Sequence, residues 1–328
     1  MPNFNMNSFP MLPIQGMAGG QMTYDAGGLA FLQGELEKQD SKLNEPLSAV
    51  TWQRDIPVKT GGGFVDSISS YNVSYGTTGA NTDGILSTDS NMLPVIQADI
   101  DKDTYRVFVW GHIIKVPMID QERMQKIGRP LDDLFNKGLR LAHDKELDKN
   151  VYLGHTELGA FGLVNSPRVA TIAAAKTWAT ATPDEILDDI NKVLTQTIQN
   201  SEYDNRGMAN HILLPWQQYT WLVTRKVGTD VDKSIMDYLM ENNIASKQGI
   251  DLTIEPLRYC EKAGTGDTDR LVAYRNDEDM VRMDITVPLK RLFTQASAEH
   301  IAYLTPYVCQ HSEVQWHYLT HALYMDGI

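Results

Sequence analysis

The chain has 328 residues, 42% hydrophobic and 22% charged, with a formal net charge of −13 and two cysteines. It is long enough for one large domain or two to three small ones, and its composition is ordinary for a soluble globular protein. No apolar run reaches bilayer-spanning length, the first residues do not read as a secretory signal, and the acidic balance argues against a sequence-independent nucleic-acid binder.

Residues 1–50 read as an extended arm. Pro2, Pro10 and Pro13 and the cluster GMAGG precede a short helical candidate, Leu29–Lys38, and Lys38 and Lys42 are the only cations. Free in solution, such a segment would be disordered, so docking on a neighbouring copy or on its own domain is expected. Strands are predicted at Val50–Arg54, Asp66–Val73 and Tyr105–Val116, where β-branched and aromatic residues gather. The last two flank a polar stretch rich in turn formers, and Gly61–Asp101 holds no Lys or Arg. A two-stranded projection of this kind is marginal alone and needs another surface to lie on.

Asp120–Lys126 reads as a short helix, ended by Gly128-Arg129-Pro130. One long helix is predicted over Pro130–Leu153, with Pro130 at the first position, Asp132 and Asp133 in the first turn and Gly154 as the stop. Leu131, Leu134, Phe135, Leu141 and Ala142 share one face. Past Ala142 the apolar residues are Leu147 and Val151, about half a turn round the axis. The spacing describes a helix that changes neighbours half-way, with a surface helix frayed at its last turn as the alternative.

A Gly-rich connection follows, containing GAFGLVNSPRVAT. A second region starts at Thr182, where Thr182-Pro183-Asp184-Glu185 forms a capping box ahead of the stripe Ile186, Ile190, Val193, Leu194 and Ile198. A strand (His211–Leu214), helices (Pro215–Val223 and about Val231–Glu241) and strands (Ile250–Glu255, Leu271–Arg275, Asp279–Val287) come next. Ile301–Leu304, Tyr307–Val308 and Val314–Tyr324 read as closing strands. The mixture predicts an α+β fold.

No catalytic constellation is present. Gly264–Arg270 lacks the P-loop lysine and Lys59–Phe64 lacks a strand–helix context, so both read as turns. Asp99, Asp101 and Asp103 alternate as in a calcium loop, but Thr104 stands where glycine is required and Trp110 where the closing Glu belongs. Of His311, His317 and His321, the last two share a strand face without any acid or Cys beside them, and nothing orients Cys309 near His311 as a nucleophile. No cofactor or metal is expected. Cys260 and Cys309 read as reduced.

The order of features then becomes recognisable. Arm, long hairpin loop, long helix, Gly-rich crossover, α+β domain and returning strands resemble the major capsid proteins of tailed bacteriophages, the Hong Kong 97 capsid fold shared with encapsulin shells. The resemblance spans about residue 50 to Ile328. It is carried by LDKNVYLG (Leu147–Gly154), by Gly162-Leu163-Val164-Asn165 with Val169-Ala170, and by the strand–Pro–helix run Asn210–Tyr219. Gly249–Pro256, Met283–Val287 and His321–Tyr324 add looser matches.

The resemblance implies an N-terminal arm (1–50), an extended loop with flanking strands (51–118), and a spine helix in a peripheral domain (119–181). It further implies an axial domain (182–292) and return strands to the peripheral domain (293–328). It implies no enzyme but a virion shell protein, assembled in the bacterial host cytoplasm from hexamers and pentamers into an icosahedral capsid. Partners would be further copies of the chain, portal and scaffolding proteins, and packaged double-stranded DNA bound without sequence specificity; no membrane is involved. With Met1 as the start, the scaffold would be a separate protein. Phe4, Met11, Tyr75, Ile85, Met92, Leu147 and Val151 are the expected inter-subunit contacts. Some family members crosslink a loop Lys to an Asn near a neighbour's C-terminus; here neither Lys in Gly61–Asp101 nor Asn after Asn276 is available, which implies a non-covalent shell. An encapsulin-type compartment and a soluble α+β enzyme are the alternatives.

Overall fold

The computed structural model describes residues 49–78, 94–120, 131–228 and 231–328, with side chains from 135 onward in the long helix. The helical candidate at Leu29–Lys38, all but the start of Asp120–Lys126, and the polar stretch 79–93 lie outside the described residues.

The described chain begins with a helical turn, α1 (Trp52–Asp55), where a strand was predicted. Local propensity loses to a tertiary cap: Asp148 Oδ1 accepts from the backbone N–H groups of Thr51 (2.9 Å) and Trp52 (3.2 Å). Then come β1 (Val58–Thr60), β2 (Ser67–Thr78), β3 (Val95–Pro117) and the long helix α2 (Leu131–Leu153). The short β4 (Ala170–Ala173) leads to α3 (Pro183–Asn200), whose capping box is formed as the sequence predicts.

Beyond α3 the chain alternates. β5 (His211–Leu214) and α4 (Trp216–Thr224) match the predicted strand–Pro–helix run. The helix predicted from Val231 is instead a pair of strands, β6 (Lys226–Gly228) and β7 (Val231–Ser234), followed by α5 (Ile235–Asn242). Ser234 sets that boundary, its side chain accepting from the Asp237 N–H at 3.1 Å. α6 (Ile244–Lys247), β8 (Thr253–Pro256) and β9 (Arg270–Tyr274) follow. The strand predicted over Asp279–Val287 divides into β10 (Val281–Ile285) and β11 (Val287–Arg291). β12 (Gln295–Ser297) precedes β13 (Ala302–Ser312), which runs unbroken through Pro306. The last predicted strand divides into β14 (Gln315–Trp316) and β15 (Leu323–Asp326).

The central sheet has the order β4-β15-β9-β5-β8. Its inner strands β15, β9 and β5 are buried on both faces, so alternate residues feed two cores. Leu213, Val272, Tyr274 and Tyr324 meet Trp52, Ile56, Leu147 and Val151 on one side. Ile212, Leu214, Leu271, Ala273, Leu323 and Met325 meet the α3 stripe Ile186, Ile190, Val193 and Leu194 on the other. The block 293–328 is therefore shared between sheets: β13 pairs with β3, whereas β15 lies between β4 and β9.

A second sheet has the order β11-β13-β3-β2. β3 is its axis. Residues 107–117 pair with β13 on one edge, and residues 95–106 pair with β2 on the other. α2 packs across the β13–β3 part. Tyr307 OH donates to Asn136 Oδ1 at 2.7 Å, His143 meets the Trp110 ring edge-on at 5.2 Å, and Asn150 meets His311 at 3.0 Å.

The predicted change of neighbours along α2 has a specific form. The side chains of Leu131 and Leu134 lie outside the described set, and Phe135 is half-buried. Leu147 (2% exposed) and Val151 (0%) enter the core beneath the central sheet. This corrects their assignment as inter-subunit contacts: both side chains are used up inside their own chain.

The GL-N segment closes α2. Gly154 takes φ +63°, and the N–H groups of Leu163 and Val164 reach the carbonyls of Val151 (2.8 Å) and Tyr152 (3.1 Å). Asn165 Nδ2 donates to the Leu153 carbonyl at 2.8 Å while its Oδ1 accepts from Gly162 N–H at 2.8 Å. The otherwise orphaned carbonyls of the last turn are thus satisfied by a loop rather than by water.

Candidate functional site

The register of β2 against β3 builds a twelve-residue ribbon with two unlike faces. Directly opposed residues share a face, so Tyr71/Lys102, Val73/Ile100, Tyr75/Ala98 and Thr77/Ile96 lie together. Ser70/Asp103, Asn72/Asp101, Ser74/Asp99 and Gly76/Gln97 lie on the other side. The first face is apolar and open: Tyr71 is 67% exposed, Val73 51%, Tyr75 77%, Ile96 74% and Ile100 63%. The second is acidic. The alternating acids that resembled a calcium loop are one row of a strand, pointing away from the apolar side. Asp103, nearest the base, accepts from Asn72 Nδ2 at 2.7 Å and lies 3.9 Å from Arg168.

Tyr75 is the predicted contact residue that the structure places on this apolar face. Phe4, Met11, Ile85 and Met92 lie outside the described residues. Tyr71, Val73, Ile96 and Ile100 were missed. Their signal was present as alternation in YNVSY and VIQADI, but only the register shows that the two runs share a face.

The base of the ribbon is fixed from several directions. Gln310 is buried, and its side chain accepts from Val65 N–H (3.1 Å) and donates to Val65 O (2.7 Å), as a neighbouring strand would. Arg106 N–H donates to Glu313 Oε1 at 2.8 Å, and its guanidinium bonds the Leu158 carbonyl. Ahead of β2, Gly61, Gly62 and Gly63 take φ of +115°, +114° and +74° with open space around each Cα, so the glycines there serve backbone conformation rather than close packing.

Buried polar groups elsewhere hold the fold. Burial pushes the Asp55 carboxyl up, but hydrogen bonds from His211, Arg54 and Tyr152 outweigh it and keep the group below its usual range. Arg270 holds Asp326 with two bonds of 2.7 and 2.9 Å and stacks over Tyr324. Burial raises the Cys309 thiol to about 11 and lowers His311 to about 4, so this neighbouring pair is a neutral thiol beside a neutral imidazole. Among the described residues no cluster of His, Cys, Asp and Glu could hold a metal ion.

Comparison with known proteins gives these surfaces a context. No curated protein matches the chain. Its structure is similar to that in "The capsid of Myoviridae Phage XM1", at 16% identity over 90% of this chain and 98% of that one, with a TM-score of 0.76. It is similar to the "Capsid of native GTA particle" (9% identity, 91% of this chain and 98% of that one, TM-score 0.62) and to a Microbacterium phage Oxtober96 chain (15%, 90% and 97%, 0.56). The family model described as "Major capsid protein" matches residues 82–328. The chain therefore belongs to the major capsid protein family, and its fold is the Hong Kong 97-type capsid fold.

Proposed function

We propose that the chain assembles non-covalently with copies of itself into an icosahedral shell of hexamers and pentamers that encloses double-stranded DNA. The observation that carries this reading is the two-faced ribbon. Five exposed apolar side chains line one face of a two-stranded element, and no described segment of the chain covers them. Full burial of such side chains is worth about 1.5–3 kcal/mol each, more than an isolated ribbon gains from its own pairing. A neighbouring copy is the surface that family membership supplies.

In this reading residues 1–50 are the arm and 51–118 the extended loop with its flanking strands. Residues 119–181 carry the spine, 182–292 the axial domain and 293–328 the return strands. Tyr75 leads the contact set, joined by Tyr71, Val73, Ile96 and Ile100; Phe4, Met11, Ile85 and Met92 remain contacts proposed from the sequence. Assembly takes place in the bacterial host cytoplasm with portal and scaffolding proteins. The charge of −13 suits a wall that confines DNA without binding it tightly. A shell role asks for no catalytic centre.

Negative-stain microscopy of the purified chain, with extraction of the contents, tests this. Closed shells containing double-stranded DNA are expected. The double variant Tyr75→Asp/Ile100→Asp is expected to remain folded by circular dichroism and to stop at small species. Shells filled with protein cargo, or a wild-type chain that stays a small oligomer, would overturn the reading.

A further inference from the structure

α2 turns His143 and Asn150 toward the second sheet and Leu147 and Val151 into the core. Its other side shows Gly138, Lys145 and Lys149, all exposed, with Ala142 half-buried among them. Steps of four, three and four residues keep these positions in one line along the helix. The second sheet separates this line from the acidic row of the ribbon. Trp110, which meets His143 of α2, shares a face of β3 with Ile96 and Ile100, whereas Asp99, Asp101 and Asp103 point to the opposite side.

Lys145 and Lys149 have no ion-pair partner among the described residues. The nearby acids of α2 are engaged elsewhere: Asp144 lies 3.2 Å from His143, Glu146 lies 3.8 Å from His155, and Asp148 is buried against the N–H groups of Thr51 and Trp52. Two like charges four residues apart on a helix repel. The helix dipole does not account for them, because its pull on cations is confined to the last turn, which holds no basic residue. Gly138 likewise weakens a helix interior, and a Cβ there would meet nothing within 4 Å. Each feature destabilises the helix on its own, and each suits an anion lying close against it. The lysines supply charge, and the missing Cβ clears the approach.

We propose that this face of α2 is a phosphate-backbone contact for the double-stranded DNA inside the shell, an inference that rests on the function proposed above. Lys145 and Lys149 are about 6 Å apart along the axis at 1.5 Å per residue. Charges set in a line suit a polymer of regularly spaced phosphates better than a single ion. A lysine ammonium reads charge and not base identity, so the contact is independent of sequence. It is also loose. Each neutralised phosphate contributes a slope of about −0.9 to the salt dependence, so a tenfold rise in salt weakens a two-phosphate contact roughly 60-fold. A chain of net charge −13 thus touches DNA at one fixed line per copy and repels it elsewhere.

Lysine acetylation of assembled wild-type particles, read site by site by peptide mass spectrometry, tests the contact. DNA-filled shells are compared with shells emptied of DNA, at low salt and after a tenfold rise in salt. Lys145 and Lys149 are expected to be protected in filled shells at low salt. That protection should be lost in emptied shells and lost again in filled shells at the higher salt. Equal reactivity in filled and emptied shells overturns the inference. So does protection in both, which would mean that a neighbouring copy covers the face, and so does protection that ignores salt. These three results leave the proposed function standing, whereas shells that never contain DNA overturn both.

Discussion

A Cβ at Gly162 would lie 2.3 Å from the carbonyl carbon and oxygen of Tyr152. The glycine is there because the closing loop must lie against the last turn of α2 to reach its carbonyls. Gly138, in the same helix, meets nothing within 4 Å and has ordinary helical backbone. The same substitution should therefore act with opposite signs at the two sites. Gly162→Ala is expected to destabilise the chain by about 2–3 kcal/mol through forced backbone movement. Gly138→Ala should stabilise it by about 0.5–1 kcal/mol through helix propensity and a less flexible unfolded chain. Urea midpoints of the two variants against wild type measure both. Gly162 stands in the GL-N motif, but its reason, a backbone pressed against Tyr152 at the helix end ten residues earlier, shows only in three dimensions.

At the scale of elements, legibility in the sequence followed the range of the interaction that decides each element. The capping box at Thr182 and the stripe behind it are local, and α3 forms as read. α1 was misread because its cap, Asp148, lies 96 residues from Trp52. The helix read from Val231 starts late because β7 pairs with β6 first. The two faces of the ribbon were half legible: each strand alternates, but which residues face together depends on the register. The faces make separable predictions. Asp99→Asn/Asp101→Asn changes only the acidic row and should leave shells unchanged in the microscope, whereas charges on the apolar row should abolish them. Equal sensitivity of both rows would mean that the ribbon is sandwiched rather than laid down on one side.

For the whole molecule, the non-covalent shell proposed above takes its cohesion from surfaces rather than bonds. The stretch 61–101 offers no lysine, and no asparagine follows Asn276. Assembled particles boiled in reducing SDS should run as a single band of 36.8 kDa. A ladder of covalent oligomers would show crosslinking through other residues. Whole-chain order was legible because capsid topology is a succession of distinctive segments; the proposed contact face was not, because side chains left exposed in their own chain leave no packing signature there. The continuity of β3 has a mechanical consequence. Its twelve-residue outer part is about 40 Å long at roughly 3.3 Å per residue, so a tilt of about 5° at its root carries the far end through about 3.5 Å. The strand is a lever with its fulcrum in the second sheet. Identical subunits that meet at different local curvatures could keep the same ribbon contacts by small angular changes at that root, leaving both buried cores as they are.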